Sequence, residues 1–200
     1  DEHDALVYIQ VTRGASASRE HVWPEHAPAT VLVMVYDAPT LSRKDVTPYK
    51  MITLDDFRWQ KGHITSVSLV AAGLFKNEAV ARGADDAILI RNGFVTEASA
   101  SNVYIVKDGV LITPPTSKSI LHGITRYLVL SLARGDDIPV EEREISVAEL
   151  DAADEVIISS AGHEVWPVGS VNEASVGNGE GGVVWQRLDH LFQDYKSTAE

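Results

Sequence analysis

Three short stretches of the sequence carry side chains and backbone groups that could do chemistry. In TEASASNVYIVKDG, Glu97 ends a short predicted strand, where a carboxylate could hold the protonated ring nitrogen of a cofactor. In SILHGITR, Gly123, Ile124 and Thr125 stand at a predicted helix start, where free N–H groups, the helix dipole and a hydroxyl form a phosphate cradle. In IISSAGHEVWPV, residues 159–162 form a second donor-rich turn. Taken singly, an ordinary turn acid, a helix cap and a strand exit explain the three stretches more simply.

A fourth stretch, QVTRGASASREH, contains a pair of side chains suited to binding a carboxylate. Arg19 and His21 are two residues apart, so both point to one side of the chain if the segment is extended. Arginine grips a carboxylate through two parallel hydrogen bonds. An exposed charged loop explains the same pair equally well.

The strands that must position these residues are visible as β-rich runs. They are ALVYIQVTRG, TVLVMVYD, KMITLDDFRW, AILIRNG, NVYIVKDG, VLITPP and EVIISSAG. The Asn-Gly pair at 92–93 and the Asp-Gly pair at 108–109 are strong hairpin signals, because both residues of a type I′ turn need a positive φ. Residues 39–48, bounded by prolines, are predicted to form a loop.

Apolar residues at helical spacing predict four helices among these strands. The predicted helices cover residues 66–82, 123–133, 147–150 and 183–195. Hairpins near the middle of the chain with helices outside them predict an α+β or mixed α/β fold, and not a regular parallel Rossmann sheet.

The composition bounds the class of protein. Two hundred residues, 44% of them hydrophobic, suffice for a sizeable core. A net charge of −12 argues against nucleic-acid binding, which needs clustered Lys and Arg, and no apolar run is long enough to cross a membrane. There is no Cys, so disulfides and thiol chemistry are excluded, and no metal site is predicted. The lack of thiols is compatible with the cytoplasm, where we expect the protein.

The order and spacing of the four stretches resemble the fold type IV pyridoxal-phosphate enzymes. These include branched-chain aminotransferases, D-amino-acid aminotransferases and aminodeoxychorismate lyases. The resemblance runs from VYIQVTRG to the last helix and is most specific in TEASASNVYIVKDGVLITPP and ILHGITR. It is greatest to the D-amino-acid aminotransferases, because Arg19-Glu20-His21 matches their Arg-x-His carboxylate trap. The resemblance implies pyridoxal-phosphate-dependent transamination of amino acids, D-amino acids in particular, and a barrel-like sheet with flanking helices.

The resemblance also implies roles for individual residues. Glu97 would contact the pyridine nitrogen, Leu121 would pack on the ring, and Arg58 would support the site from behind. The groups implied at the phosphate are Gly123, Ile124, Thr125, Ser160 and Ala161, the last through its N–H alone. Tyr8, Arg19 and His21 would hold the substrate carboxylate and thereby select the hand of the amino acid.

One position departs from the family pattern. The family stretch DIRWxxxxIKS carries the lysine that forms the Schiff base, and the matching residue here is Thr65 in FRWQKGHITSVSL. Thr65 is expected between a strand that ends at Ile64 and a helix that begins at Ser66. Threonine cannot form an imine, and its hydroxyl is a weak base at neutral pH. Lys61 is not expected to replace the lysine, because four extended residues span about 13 Å. This form is therefore expected to be impaired.

Several alternatives stay open at this point. Thr65 is a deliberate inactivating substitution, favoured by an otherwise intact set of residues, or a natural loss that leaves a cofactor-binding pseudo-enzyme, or a modified lysine misassigned as threonine. Aminodeoxychorismate lyase and branched-chain aminotransferase share the fold and the cofactor. The Arg19-x-His21 pair points away from the lyase.

The beginning of the chain is the second departure. Family members start with a small N-terminal α/β lobe that contributes to the phosphate site and to a dimer contact. Residue 1 falls after that lobe would have ended, so residues 1–200 are expected to form a single large cofactor-binding domain that lacks the lobe and includes at most a few leading linker residues. We expect a homodimer when the lobe is present, and weak cofactor binding by this fragment alone.

Overall fold

The chain divides into two compact units, Asp1–Val46 and Thr47–Glu200. The computed structural model describes residues 5–37 and 46–198. The first unit contains an antiparallel pair, β1 (Ala5–Thr12) and β2 (Thr30–Asp37), in which the two strands pair along their whole length. The prediction of both strands is confirmed. Of the loop predicted over residues 39–48, residues 39–45 lie outside the described residues, and residues 46–48 are irregular.

The second unit is a large sheet with helices around it. Its strands, within residues 47–198, are β3 (Tyr49–Asp55), β4 (Asp86–Arg91), β5 (Phe94–Ala98), β6 (Asn102–Lys107), β7 (Val110–Thr113), β8 (Val140–Glu142), β9 (Glu155–Ser160), β10 (Glu164–Val171) and β11 (Ala174–Ser175). Its helices over the same residues are α1 (Val70–Ala81), α2 (Ile124–Gly135), α3 (Val147–Asp151) and α4 (Val183–Thr198). None of the helices in the described residues is long and apolar enough to cross a membrane.

The sheet of the second unit mixes parallel and antiparallel neighbours. The strand order is β5-β4-β3-β10-β9-β6-β7-β8, with β11 paired to β10. Strand β3 runs parallel to both β4 and β10, and β7 runs parallel to β8, whereas the other pairs are antiparallel. The expected mixed α/β class is therefore confirmed.

The two predicted hairpins form as expected. Asn92 and Gly93, with φ of 53° and 83°, connect β4 to β5, and Asp108 and Gly109, with φ of 50° and 79°, connect β6 to β7. Positive φ at both central residues gives the turn a twist that matches the strands it joins.

The helices cover apolar faces of the sheet. Helices α2 and α4 pack on β6 and β9, where Leu130, Leu188 and Phe192 surround Tyr104 and Ile157. Helix α1 packs on β3 and β4 through a separate cluster centred on the buried Phe75.

The segment between β3 and α1 is longer and less regular than predicted. The expectation of a strand ending at Ile64 is wrong, because β3 ends at Asp55. There the Asp56 carboxylate accepts the N–H of Arg58 at 3.1 Å, an Asx turn that leads the chain out of the sheet.

The predicted start of the next helix is also wrong. The sequence pattern places it at Ser66, whereas α1 begins at Val70. The Ser66 hydroxyl accepts the N–H of Ser68 at 3.4 Å, and the N–H of Leu69 binds the carbonyl of Val67 at 2.9 Å. Such local bonds compete with the helix ladder. Thr65 therefore lies inside an irregular connection and not at a tight strand-to-helix joint.

Candidate active site

A cavity of about 780 Å³ lies in the second unit, in the size range of small-molecule sites. Nine residues singled out from the sequence line it together. They are Arg58, Thr65, Glu97, Leu121, Gly123, Ile124, Thr125, Ser160 and Ala161. These residues come from stretches up to about a hundred positions apart in the chain, so the fold places them around one hollow. Their individual roles stay predictions.

Strand ends build one wall of the cavity. Glu97 lies on β5, and Asn102 is the first residue of β6. Asn102 pairs in the ladder with Ser159, next to Ser160 at the end of β9. The acid and the serine turn therefore belong to one sheet, whose hydrogen bonding fixes their relative positions.

Glu97 lies at the buried acidic end of the cavity, and only 6% of it is exposed. Its carboxylate accepts the N–H of Leu121 at 2.8 Å, a longer bond from Asn102 at 3.4 Å, and a hydrogen bond and ion pair from Arg58. Burial raises the pKa of the Glu97 carboxyl, and the charge and hydrogen bonds of Arg58 and Leu121 oppose that rise. These donors all favour the ionised carboxylate, which accepts a further N–H more strongly than the neutral carboxyl does.

Arg58 is held behind Glu97 by a second carboxylate. Its guanidinium donates two hydrogen bonds to Asp56, at 2.9 and 2.8 Å, and one to the carbonyl of Ser119 at 3.2 Å. Burial alone would lower the pKa of Arg58, but its bonds to Asp56 and Glu97 outweigh burial and raise it. For Asp56 burial would raise the pKa, but the bonds and charge of Arg58 hold it below its ordinary value. Arg91 also pairs with Asp56, at 3.0 Å.

The N-terminus of α2 lies at another part of the cavity wall. Its first residues, Ile124 and Thr125, line the cavity, and the N-cap residue is Gly123, which has no side chain to cap the helix. The first turn contains no acidic residue. The first N–H groups of a helix have no partner within it, and the helix dipole adds positive character there. This wall of the cavity is therefore suited to an anion.

Gly123 closely approaches the side chain of Asn102 at the start of α2. A Cβ at this position would lie 2.3 Å from the Oδ1 atom of Asn102, so a larger residue would require the Asn102 amide to move. Asn102 in turn donates to the carbonyl of Leu121 at 2.9 Å. The helix end and the acid are thus joined through Asn102.

Ser160 and Ala161 lie where β9 leaves the sheet. The Ser160 hydroxyl accepts the N–H of His163 at 3.1 Å and contacts its Nδ1 atom at 3.1 Å, while Ala161 is exposed. The Nε2 atom of His163 lies 2.9 Å from the hydroxyl of Tyr49. The serine is therefore part of a chain of polar contacts that leads away from the cavity.

Thr65 lines the cavity, and no lysine in the described part of the chain does so. Lys61 was excluded on the expectation of an extended segment, and that expectation is wrong. The segment is not extended, because the N–H of Ile64 binds the carbonyl of Lys61 at 3.0 Å in a turn. The cavity wall thus carries the hydroxyl of Thr65, and the match of this position to the family's lysine stays a prediction.

The three residues expected at the substrate carboxylate belong to the first unit. Tyr8 lies on β1, where its hydroxyl donates to Gln10 at 2.8 Å. Arg19 and His21 lie in the exposed connection between β1 and β2. Their assignment to the substrate stays a prediction.

Sequence reasoning missed Asp56, Arg91 and Asn102. The small polar run after Glu97 was the available signal for Asn102. Asp56 precedes Arg58 by two residues, but its contact with Arg91 depends on the parallel pairing of β3 with β4. That pairing is not visible in the local pattern.

Comparisons with known proteins agree with this geometry. Residues 1–171 match the model of a family described as Amino-transferase class IV. A D-alanine aminotransferase of Listeria innocua is 38% identical over 188 residues, which are 93% of this chain and 65% of that protein. A D-alanine aminotransferase of Staphylococcus epidermidis is 39% identical over 193 residues, 94% of this chain and 67% of that protein.

A solved structure shares the architecture. The branched-chain amino acid aminotransferase of Escherichia coli has a TM-score of 0.83 and 27% sequence identity. The match covers 95% of this chain and 65% of that one. The chain therefore spans about two thirds of the length of these relatives.

Proposed function

Because the chain belongs to the class IV aminotransferase family, we propose that it is the cofactor-binding part of a pyridoxal-phosphate-dependent aminotransferase. The proposed reaction moves amino groups from amino acids to 2-oxo acids. D-amino acids are the proposed donors, because the similar proteins of Listeria innocua and Staphylococcus epidermidis are D-alanine aminotransferases. A cytoplasmic homodimer is part of the same proposal.

The main support for the proposal is that one cavity contains both a negatively charged group and a set of free hydrogen-bond donors. Glu97 supplies a buried carboxylate, and α2 supplies uncapped N–H groups at its start. A pyridinium ring with a phosphate on one arm needs both, because its nitrogen donates a hydrogen bond and its phosphate accepts several.

The cavity residues fit this cofactor when it is bound without a covalent link. The Ser101 hydroxyl is buried beside the cavity and has no hydrogen-bond partner among the described residues. Buried polar groups are normally paired, so this hydroxyl is suited to a polar ligand. The absence of a lysine from the described cavity wall does not fit covalent attachment.

Bound pyridoxal phosphate supplies an electron sink that stabilises negative charge at the substrate α-carbon. The residues of this chain hold and orient it. Glu97 would place a negative charge at the ring nitrogen, and the ion pair with Arg58 holds the carboxylate in place. The amides of Ile124 and Thr125, the Thr125 hydroxyl, Ser160 and the N–H of Ala161 are proposed to hold the phosphate, and Leu121 to pack on the ring.

Thr65 limits what this form can do. Its hydroxyl can donate or accept a hydrogen bond, but it neither condenses with an aldehyde nor takes up a proton near neutral pH. We propose that this form binds the cofactor reversibly and transfers amino groups slowly or not at all.

Restoring the amine tests the proposal. Thr65→Lys protein incubated with pyridoxal phosphate and then borohydride is expected to carry a reduced adduct at position 65, located by mass spectrometry. It is also expected to gain amino transfer from D-alanine to 2-oxoglutarate. Ile64→Lys is the matched control, because Ile64 is a neighbour that also lines the cavity. The proposal fails if no adduct forms at position 65.

Three rival functions are separated by the same variant. A branched-chain aminotransferase, which the similarity to the Escherichia coli structure favours, would prefer L-leucine to D-alanine. An aminodeoxychorismate lyase would release pyruvate without needing a 2-oxo acid. A cofactor-binding protein without catalysis, which Thr65 itself favours, would stay inactive with the lysine in place.

A further inference from the structure

The contacts behind Ser160 point to a role for His163, a residue that neither the sequence patterns nor the proposed function assigns. We infer that His163 is a positioning residue that turns the Ser160 hydroxyl into a hydrogen-bond donor toward a phosphate in the cavity, and that Tyr49 selects the tautomer of His163 that does so. The inference rests on the proposed function in one respect, namely that the anion bound beside Ser160 is the cofactor phosphate.

The three side chains form a continuous chain of contacts. The Ser160 hydroxyl lies 3.1 Å from Nδ1 of His163, and Nε2 of His163 lies 2.9 Å from the hydroxyl of Tyr49. The two rings of His163 and Tyr49 meet edge to face, with centroids 5.3 Å apart. Tyr49 is the first residue of β3 and pairs with Val168 of β10, the strand that begins directly after His163. The sheet therefore fixes the position of Tyr49, the residue of the three that is farthest from the cavity.

The surroundings keep His163 neutral and Tyr49 protonated at neutral pH. Burial, with the charge of Lys76, lowers the pKa of His163, and Asp86 opposes this. Burial, with the charges of Asp85 and Asp86, raises the pKa of Tyr49. Tyr49 consequently has a hydrogen to donate, and His163 has one N–H and one lone pair.

Counting hydrogens gives two possible arrangements. If Tyr49 donates to Nε2, the hydrogen of His163 is on Nδ1 and is donated to Ser160. The Ser160 oxygen then accepts two bonds, from Nδ1–H and from the backbone N–H of His163, and its own hydrogen is free to point into the cavity. If the tautomer is reversed, Ser160 must give its hydrogen to Nδ1, and only a lone pair faces the cavity.

An anion in the cavity distinguishes the two arrangements. A phosphate oxygen accepts a hydrogen bond from the first and is repelled by the lone pair of the second. Hydrogen bonds to charged groups are roughly twice as strong as neutral ones. The arrangement in which Tyr49 donates is therefore the one that binds phosphate.

The test compares two ligands that differ only in the phosphate. Pyridoxamine 5'-phosphate and pyridoxamine have no aldehyde, so surface lysines do not form adducts with them. Dissociation constants are measured by equilibrium dialysis for the wild-type chain and for the variants. His163→Ala is expected to weaken the binding of pyridoxamine 5'-phosphate about tenfold, and Tyr49→Phe about threefold. These losses correspond to one mispositioned charge-assisted hydrogen bond. Pyridoxamine binding should stay unchanged in both variants.

Two comparisons separate positioning from a general structural effect. In a Ser160→Ala background, His163→Ala should have no further effect, because the hydroxyl that it positions is gone. His190→Ala is the matched control, since His190 is exposed on α4 and should leave both ligands unaffected. The inference is overturned if His163→Ala weakens the binding of both ligands equally. It is also overturned if His163→Ala weakens the binding of pyridoxamine 5'-phosphate as much in the Ser160→Ala background as in the wild-type chain.

A second readout does not depend on cofactor. In ¹⁵N-histidine-labelled protein, His163 is expected to be neutral with its hydrogen on Nδ1, and Tyr49→Phe is expected to shift it toward Nε2. A hydrogen on Nε2 in the wild-type chain overturns the inference. If the wild-type chain binds neither ligand, the proposed function fails, and the tautomer measurement alone then decides the role of His163.

Discussion

The N-termini of α2 and α3 are built in opposite ways. Helix α3 begins with a capping box, in which the Ser146 hydroxyl accepts the N–H of Glu149 and the Glu149 carboxylate accepts the N–H of Ser146 at 2.9 Å. Helix α2 begins at Ile124 after the N-cap residue Gly123, with no capping side chain and no acid in its first turn, and its N-terminus faces the cavity.

Helix α4 follows the pattern of α3. The Glu155 carboxylate, from the start of β9, accepts the N–H groups of Val184 and Trp185 at 2.9 and 2.8 Å. The chain thus supplies a carboxylate of its own to the starts of α3 and α4, whereas α1, like α2, has no capping side chain and no acid in its first turn.

The uncapped start of α2 leaves part of its possible stabilisation unused by the protein. An acid at a helix N-terminus contributes about 0.3–1 kcal/mol. At α2 this contribution is not made by the protein, so it is available to a bound anion. Placing an acid in the first turn of α2 is therefore expected to remove ligand binding with little change in stability. Removing the acid that caps α3 or α4 is expected to lower stability with little change in ligand binding.

The largest effect is expected from placing an acid in the first turn of α2. Thr125→Asp places a carboxylate among the free amides, so it occupies their positive potential and repels a phosphate. Binding of pyridoxamine 5'-phosphate is expected to fall by about a hundredfold or more, which is roughly 2.7 kcal/mol or more, measured by equilibrium dialysis. The melting temperature should be unchanged or higher. Ser131→Asp is the matched control, because it adds the same charge to an exposed position on the same helix; an equal loss there would show that net charge alone is responsible.

A smaller effect, on stability, is expected from removing the carboxylate that caps α4. Glu155→Ala leaves the amides of Val184 and Trp185 without their acceptor, and the free energy of unfolding should fall by about 1–2 kcal/mol. Urea unfolding measures this loss, and dialysis should show unchanged binding of pyridoxamine 5'-phosphate at a temperature where the variant is folded. Weaker ligand binding in this variant would contradict the assignment of Glu155 to stability alone.

The smallest effect is expected at α3 and depends on pH. Hydrogen bonding to the backbone N–H of Ser146 lowers the pKa of Glu149 to about 2. A carboxyl with a lowered pKa stabilises the fold above its unfolded pKa and loses this effect as pH falls. Glu149→Gln should therefore cost less than about 1 kcal/mol at pH 7, since the group is exposed. The difference from wild type should disappear as pH falls from about 4.5 toward 2. A difference that is constant over this range would mean that charge plays no part.

Features that depend on neighbouring residues can be predicted from the sequence. The Asn-Gly and Asp-Gly turns follow from backbone preferences alone, and the start of α2 follows from Gly123 and the apolar spacing after it. The irregular segment before α1 was missed, because the aspartate and serine side chains at 56 and 66 compete with regular structure through bonds that a periodic pattern does not show.

Contacts between distant parts of the chain were the least accessible to prediction. Tyr49 and His163 are 114 positions apart, and Arg58 and Arg91 meet only because β3 and β4 pair in parallel. Glu97 and Thr125 were predicted to share a cavity from the resemblance, not from the residues themselves. Electrostatic complementarity at the site is a property of the tertiary fold, so local patterns do not encode it.

The most direct test is a crystal structure of the chain with pyridoxamine 5'-phosphate. The ring nitrogen is predicted to lie within about 3 Å of the Glu97 carboxylate, with the phosphate at the amides of Ile124 and Thr125. A ligand bound with its phosphate toward Glu97, or bound outside this cavity, would contradict the assignment of Glu97 to the ring nitrogen and of the α2 N-terminus to the phosphate.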